Sequence, residues 1–365
     1  MTKTLDDIKN FSNNQINESN KILIRCDGSS HLGMGHVTRC IALAQALVEV
    51  GQVPIFVCAP KVGNGIKRIN ELGFIVHKVV ADNLIGDANF TLALARDLGV
   101  TNIVVDMCNS ENIASRNDFI KFFYKLADSA FNIVVIEGMN KECISLKTPL
   151  PVEAVVIPYF GAENFNYKIS ASCHLFAGEK FFPLRKEFHH FFENNRLISD
   201  KATNLLVAIG GGDVSNYNIK ILDAIELFAD AQLKVKVIGG LKNVKNIPFS
   251  VENIPYTSEM PSLISWADCA VIGSGLTRYE TAFLGTPSVV FSINSEHDKM
   301  VSNFALTGAA VSGGIISKTL PAVMAKTISE VLHSKSARSK MATTGPKIID
   351  GKGAKRLALK LKDFL

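Results

Sequence analysis

From Lys21 onward the chain repeats one rhythm: a short β-rich run, a Gly or polar turn, then a segment with apolar positions at helical spacing. In the first half, Ile22 to Arg25, Val53 to Cys58, Ile75 to Val79, Ile103 to Asp106, Ile133 to Ile136 and Ala154 to Ile157 predict strands. Thr38 to Val50 and Ile66 to Leu72 predict helices between them. Phe181 to Lys201 breaks the rhythm with Pro183, clustered charge and the paired His189 and His190, which places a domain crossover there. The alternation then resumes with strands at Asn204 to Ile209, Lys234 to Ile238, near Asn253 to Pro255, Cys269 to Ile272 and Ser288 to Phe291.

Such repetition is the pattern of parallel α/β layers. It predicts a flexible tail over 1–20, a Rossmann-like domain over 21–185, a second over 200–350 and a C-terminal helix over 351–365. Leu357, Leu359, Leu361 and Leu365 suit that last helix to packing back across the cleft. Two doubly wound domains of similar size are expected to face a central crevice, with ligands at the carboxyl ends of the strands.

Composition narrows the class. A length of 365 residues suits two domains, and 47% hydrophobic with 20% charged residues supplies large cores. The net charge of +5 is small, and Lys and Arg are scattered rather than gathered into a patch, so nucleic acid is not an expected partner. Seven cysteines occur without a CxxC pair, several in apolar runs (Cys58, Cys173, Cys269), as expected of buried free thiols in a reducing compartment. The polar first twenty residues lack a signal-peptide core, and no run is long enough to span a membrane, which points to a cytoplasmic enzyme.

Chemistry concentrates in three loops. After the strand ILIR comes CDGSSHLGMGHVTRC and then the helical run IALAQALVEV. Gly33 and Gly35 permit close backbone approach to a ligand, and the helix opening near His36 to Arg39 offers free N–H groups to an anion or a sugar. A dinucleotide fingerprint fails here, because Thr38 holds the third glycine position and the second strand ends without an acidic residue. No cofactor is expected. His36, read as the tip of the loop, is a candidate general base; position alone also allows a helix cap. Asp27 is a candidate to orient or charge-balance the site, or to cap the turn.

In the second half, Gly210, Gly211, Gly212 and Asp213 form a Gly-rich turn between strand and helix, with Ser215 and Asn216 as caps. Gly273, Ser274, Gly275 and Thr277 form another, suited to a diphosphate without a metal, and the chain has no DxD pair. Glu280 on the following helix is a candidate ribose ligand or a solvated helix charge near Arg278. Asn294, Glu296 and His297 are candidates to face the sugar, or a polar helix start.

With these residues in view the chain resembles the PseG family, UDP-sugar hydrolases of the pseudaminic acid pathway, and more distantly MurG-like glycosyltransferases. The resemblance runs from about Lys21 to Leu332, and DGSSHLGMGHVTRC is similar to the family's DxSxxxGxGHxxRC signature. VVD at Val104 to Asp106, FPLRKEF at Phe182 to Phe188, GGGDVSN at Gly210 to Asn216 and ETAFLGTPSV at Glu280 to Val289 follow in the family's order. The resemblance implies a GT-B-like fold, with the sugar at the first domain and UDP held by the second; Gly33, Gly35, Arg39 and Asp106 are the substrate candidates of the first domain, with Asn294 and His297 across the cleft. It also implies His36 as the base that activates water, Glu280 as the ribose ligand and no metal. Departures from the family pattern fall at Met107 and Cys108, at Glu137 and Gly138, and at Ser295 to His297, all on the sugar side.

The leading expectation is hydrolysis of a UDP-linked 2,4-diacetamido-2,4,6-trideoxyhexose. An inverting glycosyltransferase on the same fold is the alternative, and a sugar-nucleotide sensor without turnover is a third reading.

Overall fold

Parallel strands covered on both faces need nearly continuous apolar runs, and ILIRC, NIVVD, CAVIG and SVVFS, all buried, have them. A computed structural model describes residues 20–27, 33–60, 64–107, 116–128, 130–138, 143–210, 214–241, 248–255 and 257–364. All of the predicted tail over 1–20 except Asn20 lies outside the described residues, as do the turn Gly211, Gly212 and Asp213 and Cys108.

The chain divides into two units: one runs to Arg185 and includes Lys352–Leu365, and the other is Lys186–Gly351. In the first, β1 (Lys21–Cys26), α1 (Gly35–Glu49), β2 (Val53–Cys58), α2 (Asn64–Glu71), β3 (Ile75–Lys78), α3 (Leu84–Asp97), β4 (Asn102–Asp106), α4 (Arg116–Ala127), β5 (Asn132–Ile136), β6 (Ala154–Ile157) and β7 (His174–Ala177) follow in order. They build a seven-stranded parallel sheet of order β3-β2-β1-β4-β5-β6-β7. The order reverses between β1 and β4, where Cys26 is registered with Asp106. At such a reversal the loops leaving the two strands diverge to opposite faces and open a crevice at their carboxyl ends.

The second unit contains β8 (Asn204–Ala208), α5 (Ser215–Glu226), β9 (Lys234–Ile238), β10 (Ser250–Ile254), α6 (Met260–Trp266), β11 (Cys269–Gly273), α7 (Thr277–Phe283), β12 (Ser288–Ser292), α8 (Ser295–Ala305), β13 (Val311–Ile315), α9 (Pro321–His333) and α10 (Lys335–Ile348). Its six parallel strands are ordered β10-β9-β8-β11-β12-β13, so the reversal falls between β8 and β11.

Two strands carry too weak a pattern to be read from sequence. β7 is a four-residue edge strand, HLFA, with its first two residues exposed. β13 reads VSGGI, a composition that disfavours strands. Its glycine is required by packing, since a Cβ on Gly313 would lie 2.5 Å from Cε1 of Phe291 on the neighbouring strand β12.

The α1 helix buries Val37, Cys40, Ile41, Leu43, Ala44 and Leu47 against Ile22, Ile24, Phe56 and Val104 of the sheet. It stops at Gly51, whose φ of 87° is the left-handed conformation that ends helices. The C-terminal helix α11 (Gly353–Phe364) packs onto α1 and places Leu357, Ala358 and Leu361 in the same core, all fully buried. Among the described residues no helix is long and apolar enough to cross a membrane.

The last helix is therefore part of the first unit's core. Leu361→Ala is expected to cost about 2–5 kcal/mol, read as a lowered denaturation midpoint of the full chain.

Candidate functional site

Five side chains of the first unit meet at the carboxyl ends of its strands. Asp106, the last residue of β4, is fully buried. Its Oδ2 accepts from Arg39 Nε at 2.5 Å and its Oδ1 from Arg39 Nη2 at 2.5 Å, a bidentate pair between β4 and the second turn of α1. The Cys40 thiol adds a bond to Oδ2 at 3.4 Å. Arg39 Nη1 donates to the hydroxyl of Tyr159, just beyond β6. His36 completes the group, with Nδ1 2.6 Å from Asp106 Oδ1.

The proton on His36 follows from its partner. An ionised carboxylate only accepts, so the short contact puts the hydrogen on Nδ1. Arg39 Nη2 also lies 2.9 Å from Nδ1, but its hydrogen is directed to the carboxylate. In the neutral ring the lone pair is then on Nε2, which has no partner among the described residues. The His36 side chain is 17% exposed while Asp106 is 0%, so the imidazole is reachable and the carboxylate is not. Burial pushes the Asp106 carboxyl up, but the charges of Arg39 and His36 and their hydrogen bonds outweigh it and hold it at about 2.

Three sequence expectations change here. His36 is the second residue of helix α1, not the tip of a loop, because the helix begins at Gly35. Arg39 and Asp106, expected to touch the sugar, are 5% and 0% exposed and satisfy each other behind the histidine. Asp27, placed with the catalytic groups, accepts from Arg25 Nη1 at 2.6 Å and from the backbone N–H of Ala59 at 2.9 Å. Arg25 is buried and also grips Asp87, so Asp27 belongs to a bridge tying the ends of β1 and β2 to α3. Burial raises the Asp27 carboxyl, yet the Arg25 charge and the two donors outweigh it and hold it below its ordinary range. Gly33 has φ 74° with nothing near its Cβ position, so it is required by conformation; Gly35 opens the helix.

In the second unit the segment Gly273–Ser274–Gly275 leaves β11 beside the reversal point. Gly273 is a packing requirement, since a Cβ there would lie 1.8 Å from the carbonyl oxygen of Ile209. Gly275, with nothing within 4 Å, is open. Ser274 Oγ lies 2.7 Å from His297 Nδ1, which joins a residue expected at the nucleotide to one expected at the sugar. Asn294 caps α8, its side chain accepting from the His297 backbone N–H at 2.9 Å. Glu296 pairs with Lys299. Thr277 begins α7, and Glu280 is buried on it at 5% exposure and engaged within the protein, which excludes the solvated-charge reading.

Two residues escaped the sequence reading. Tyr159 carried no local signal, because only the sheet brings the end of β6 to Arg39. Arg278 stood beside a polar turn, yet it is 2% exposed.

No family model matches the chain. It is 28% identical over 293 residues to an uncharacterized protein of Methanocaldococcus jannaschii, covering 75% of this chain and 56% of that protein, so it spans little more than half of that relative's length. It is 25% identical over 242 residues to the spore coat polysaccharide biosynthesis protein SpsG of Bacillus subtilis, 64% of this chain and 69% of that protein. It is 23% identical over 210 residues to the UDP-2,4-diacetamido-2,4,6-trideoxy-beta-L-altropyranose hydrolase of Campylobacter jejuni, 55% of this chain and 64% of that protein. Solved structures similar to it include MurG of Acinetobacter baumannii (TM-score 0.64, 14% identity, 94% of this chain and 100% of that one). The glycotransferase of kitacinnamycin has TM-score 0.66 at 15% identity, over 94% of this chain and 98% of that one. The fold is thus of the GT-B type, two Rossmann-like domains with parallel sheets.

Two outcomes are expected. Asp106→Asn should destabilise the chain by roughly 3 kcal/mol at pH 7 by breaking a buried ion pair. Because the folded carboxyl lies below its ordinary 3.8, its contribution is complete above that pH and is lost as pH falls to about 2, so wild type and variant should converge in that window in pH-dependent chemical denaturation. Gly273→Ala should lower the thermal midpoint measured by circular dichroism markedly, whereas Gly275→Ala should leave it within about 2 °C.

Proposed function

We propose that the chain is a nucleotide-sugar hydrolase that cleaves a UDP-linked 2,4-diacetamido-2,4,6-trideoxyhexose to UDP and the free sugar. The observation that carries this reading is the orientation of His36: Nδ1 is held by a buried, ionised Asp106, and Nε2 has no partner among the described residues. The named activity of the Campylobacter jejuni relative supports the reaction and the substrate class.

In this reading a water oxygen attacks the anomeric carbon as His36 Nε2 takes its proton. The bond from that carbon to the diphosphate oxygen breaks, and UDP leaves with the electron pair. Asp106 stabilises the imidazolium that forms and keeps the productive tautomer, and Arg39 and Tyr159 hold Asp106 and Arg39 in place. None of the three needs to touch substrate. The second unit, with Ser274, Gly275, Thr277 and Glu280, is assigned the nucleotide.

The same geometry serves an inverting transferase if His36 deprotonates an alcohol, and the resemblance of the fold to glycosyltransferases favours keeping that second reading. Purified protein incubated with the UDP-sugar is expected to release UDP with no acceptor present, and His36→Ala to lower kcat by about 10²–10⁴-fold. UDP release that requires an added alcohol would assign a transferase. Absence of turnover, or full activity in His36→Ala, would refute the mechanism.

A further inference from the structure

Lysines and arginines are scattered over most of the chain, but one helix gathers unbalanced charge. The chain's net charge is +5, and α11 carries Lys355, Arg356, Lys360 and Lys362 against the single acid Asp363, a net +3 in 12 residues. Asp350 and Lys352, which precede it, cancel. The rest of the chain is therefore close to neutral.

Helical periodicity separates this charge from the core. Ala354, Leu357, Ala358 and Leu361 share one side of α11 and are buried against α1. Lys355, Leu359 and Lys362 stand one above another on the opposite side, with Arg356 and Lys360 beside them. The three lysines are exposed, and Leu359 among them is 45% exposed.

What marks this face is the lack of counter-charge. Exposed lysines on other helices stand beside carboxylates: Lys67 beside Glu71 on α2, Lys121 beside Asp118 on α4 and Lys326 beside Glu330 on α9. Among the described residues no carboxylate pairs with Lys355, Lys360 or Lys362. Lys362 Nζ donates to the carbonyl of Val50 at 3.0 Å, a neutral acceptor that fixes the side chain without cancelling its charge. Arg356 is engaged within the protein, its Nη1 donating to the carbonyl of Lys180 at 3.0 Å.

We infer that this face of α11 docks on an anionic lipid surface, with Lys355, Lys360 and Lys362 against the headgroups and Leu359 dipping between them. The free cations are lysines, point charges that suit a fluid array of headgroups, whereas the arginine fork that would grip a nucleic-acid phosphate is engaged. No aromatic residue lies between Lys355 and Lys362 to stack on a base. Leu359 sits amid the charges, where acyl chains give it an apolar contact that a duplex does not. The apolar side of α11 is already consumed by the core, so the helix keeps its place in the fold and the docking is shallow, reversible and salt-sensitive. No described helix is long and apolar enough to cross a membrane, so the contact is peripheral. Each lysine near an anionic bilayer contributes about fivefold in affinity, so the three together account for roughly a hundredfold. The inference is independent of the reaction assigned to His36.

The test is co-sedimentation of the full chain with vesicles of phosphatidylcholine alone and of phosphatidylcholine with about one-third phosphatidylglycerol. Binding is expected to the anionic vesicles only, and to be lost between about 0.1 M and about 1 M salt, where the screening length falls to roughly 3 Å. Lys355→Gln with Lys360→Gln should weaken it by at least about tenfold, whereas Lys121→Gln with Lys326→Gln, which removes the same charge elsewhere, should leave it unchanged. Leu359→Asn should weaken it about threefold or more. All of these variants should keep the wild-type thermal midpoint, since none of the side chains is buried. The proposal is overturned if the anionic vesicles do not bind, if neutral vesicles bind as well, or if the two double variants bind alike. Duplex DNA and polyglutamate are run beside the vesicles. Either one held through the same lysines at least as tightly, with Leu359→Asn without effect, puts that anion in place of the lipid and sinks the proposal.

Discussion

The bidentate pair between Arg39 and Asp106 is the contact on which the first unit's site depends. It joins the carboxyl end of a central strand to the second turn of the helix that leaves the neighbouring strand, and both partners are removed from water. A buried ion pair gains little net stability over an apolar pair of similar volume, but it admits only a narrow set of geometries. Here that geometry fixes the ring of His36 three residues earlier on the same helix face, since residues three and four apart lie one above the other. The Arg25 bridge to Asp27 and Asp87 does the equivalent work one layer away, securing the ends of β1 and β2.

Beneath this polar layer lies a group of inert thiols. Cys26 and Cys58 end adjacent strands with their sulfurs 3.9 Å apart, and Cys40 sits above them on α1. Burial, with the charge of Asp106, pushes the Cys40 thiol up to about 11, and the hydrogen bond with Cys40, with burial, pushes the Cys26 thiol well above its ordinary value. Neutral, fully buried thiols behave as small apolar side chains, so they fill the space between the sheet and α1 without competing for Arg39.

The two sheets share a topology and differ in electrostatics. In both, the residues of interest stand at the carboxyl ends of strands flanking the reversal of strand order, where the diverging loops leave room for a ligand. The first unit pairs the buried Arg25 and Arg39 with carboxylates and leaves the His36 imidazole reachable. In the second, among the described residues, no carboxylate pairs with the buried Arg278, whose Nη1 donates to the Ser274 carbonyl.

The fold class was legible along the chain, because runs such as ILIR, NIVVD and CAVIG followed by Gly-rich turns and 3.6-residue periodicity leave few alternatives to parallel α/β layers. The strands β7 and β13 were not, since an exposed edge and a Gly-Gly strand carry no periodic signal; Gly313 is explained only by the Phe291 ring against it. Local pattern marked the HxxR spacing of His36 and Arg39, and the Ser274 turn, as places where chemistry belongs. It could not assign their partners. That Asp106 rather than Asp27 meets His36, that Tyr159 reaches Arg39, and that Ser274 meets His297 depend on contacts between residues 23 to 120 positions apart. Sequence thus determined which backbone segments become strands and which turns they carry, because those follow from neighbours along the chain. Which side chains are spent on one another and which remain for a ligand was decided only by strand order and burial, because desolvation and pairing act through space.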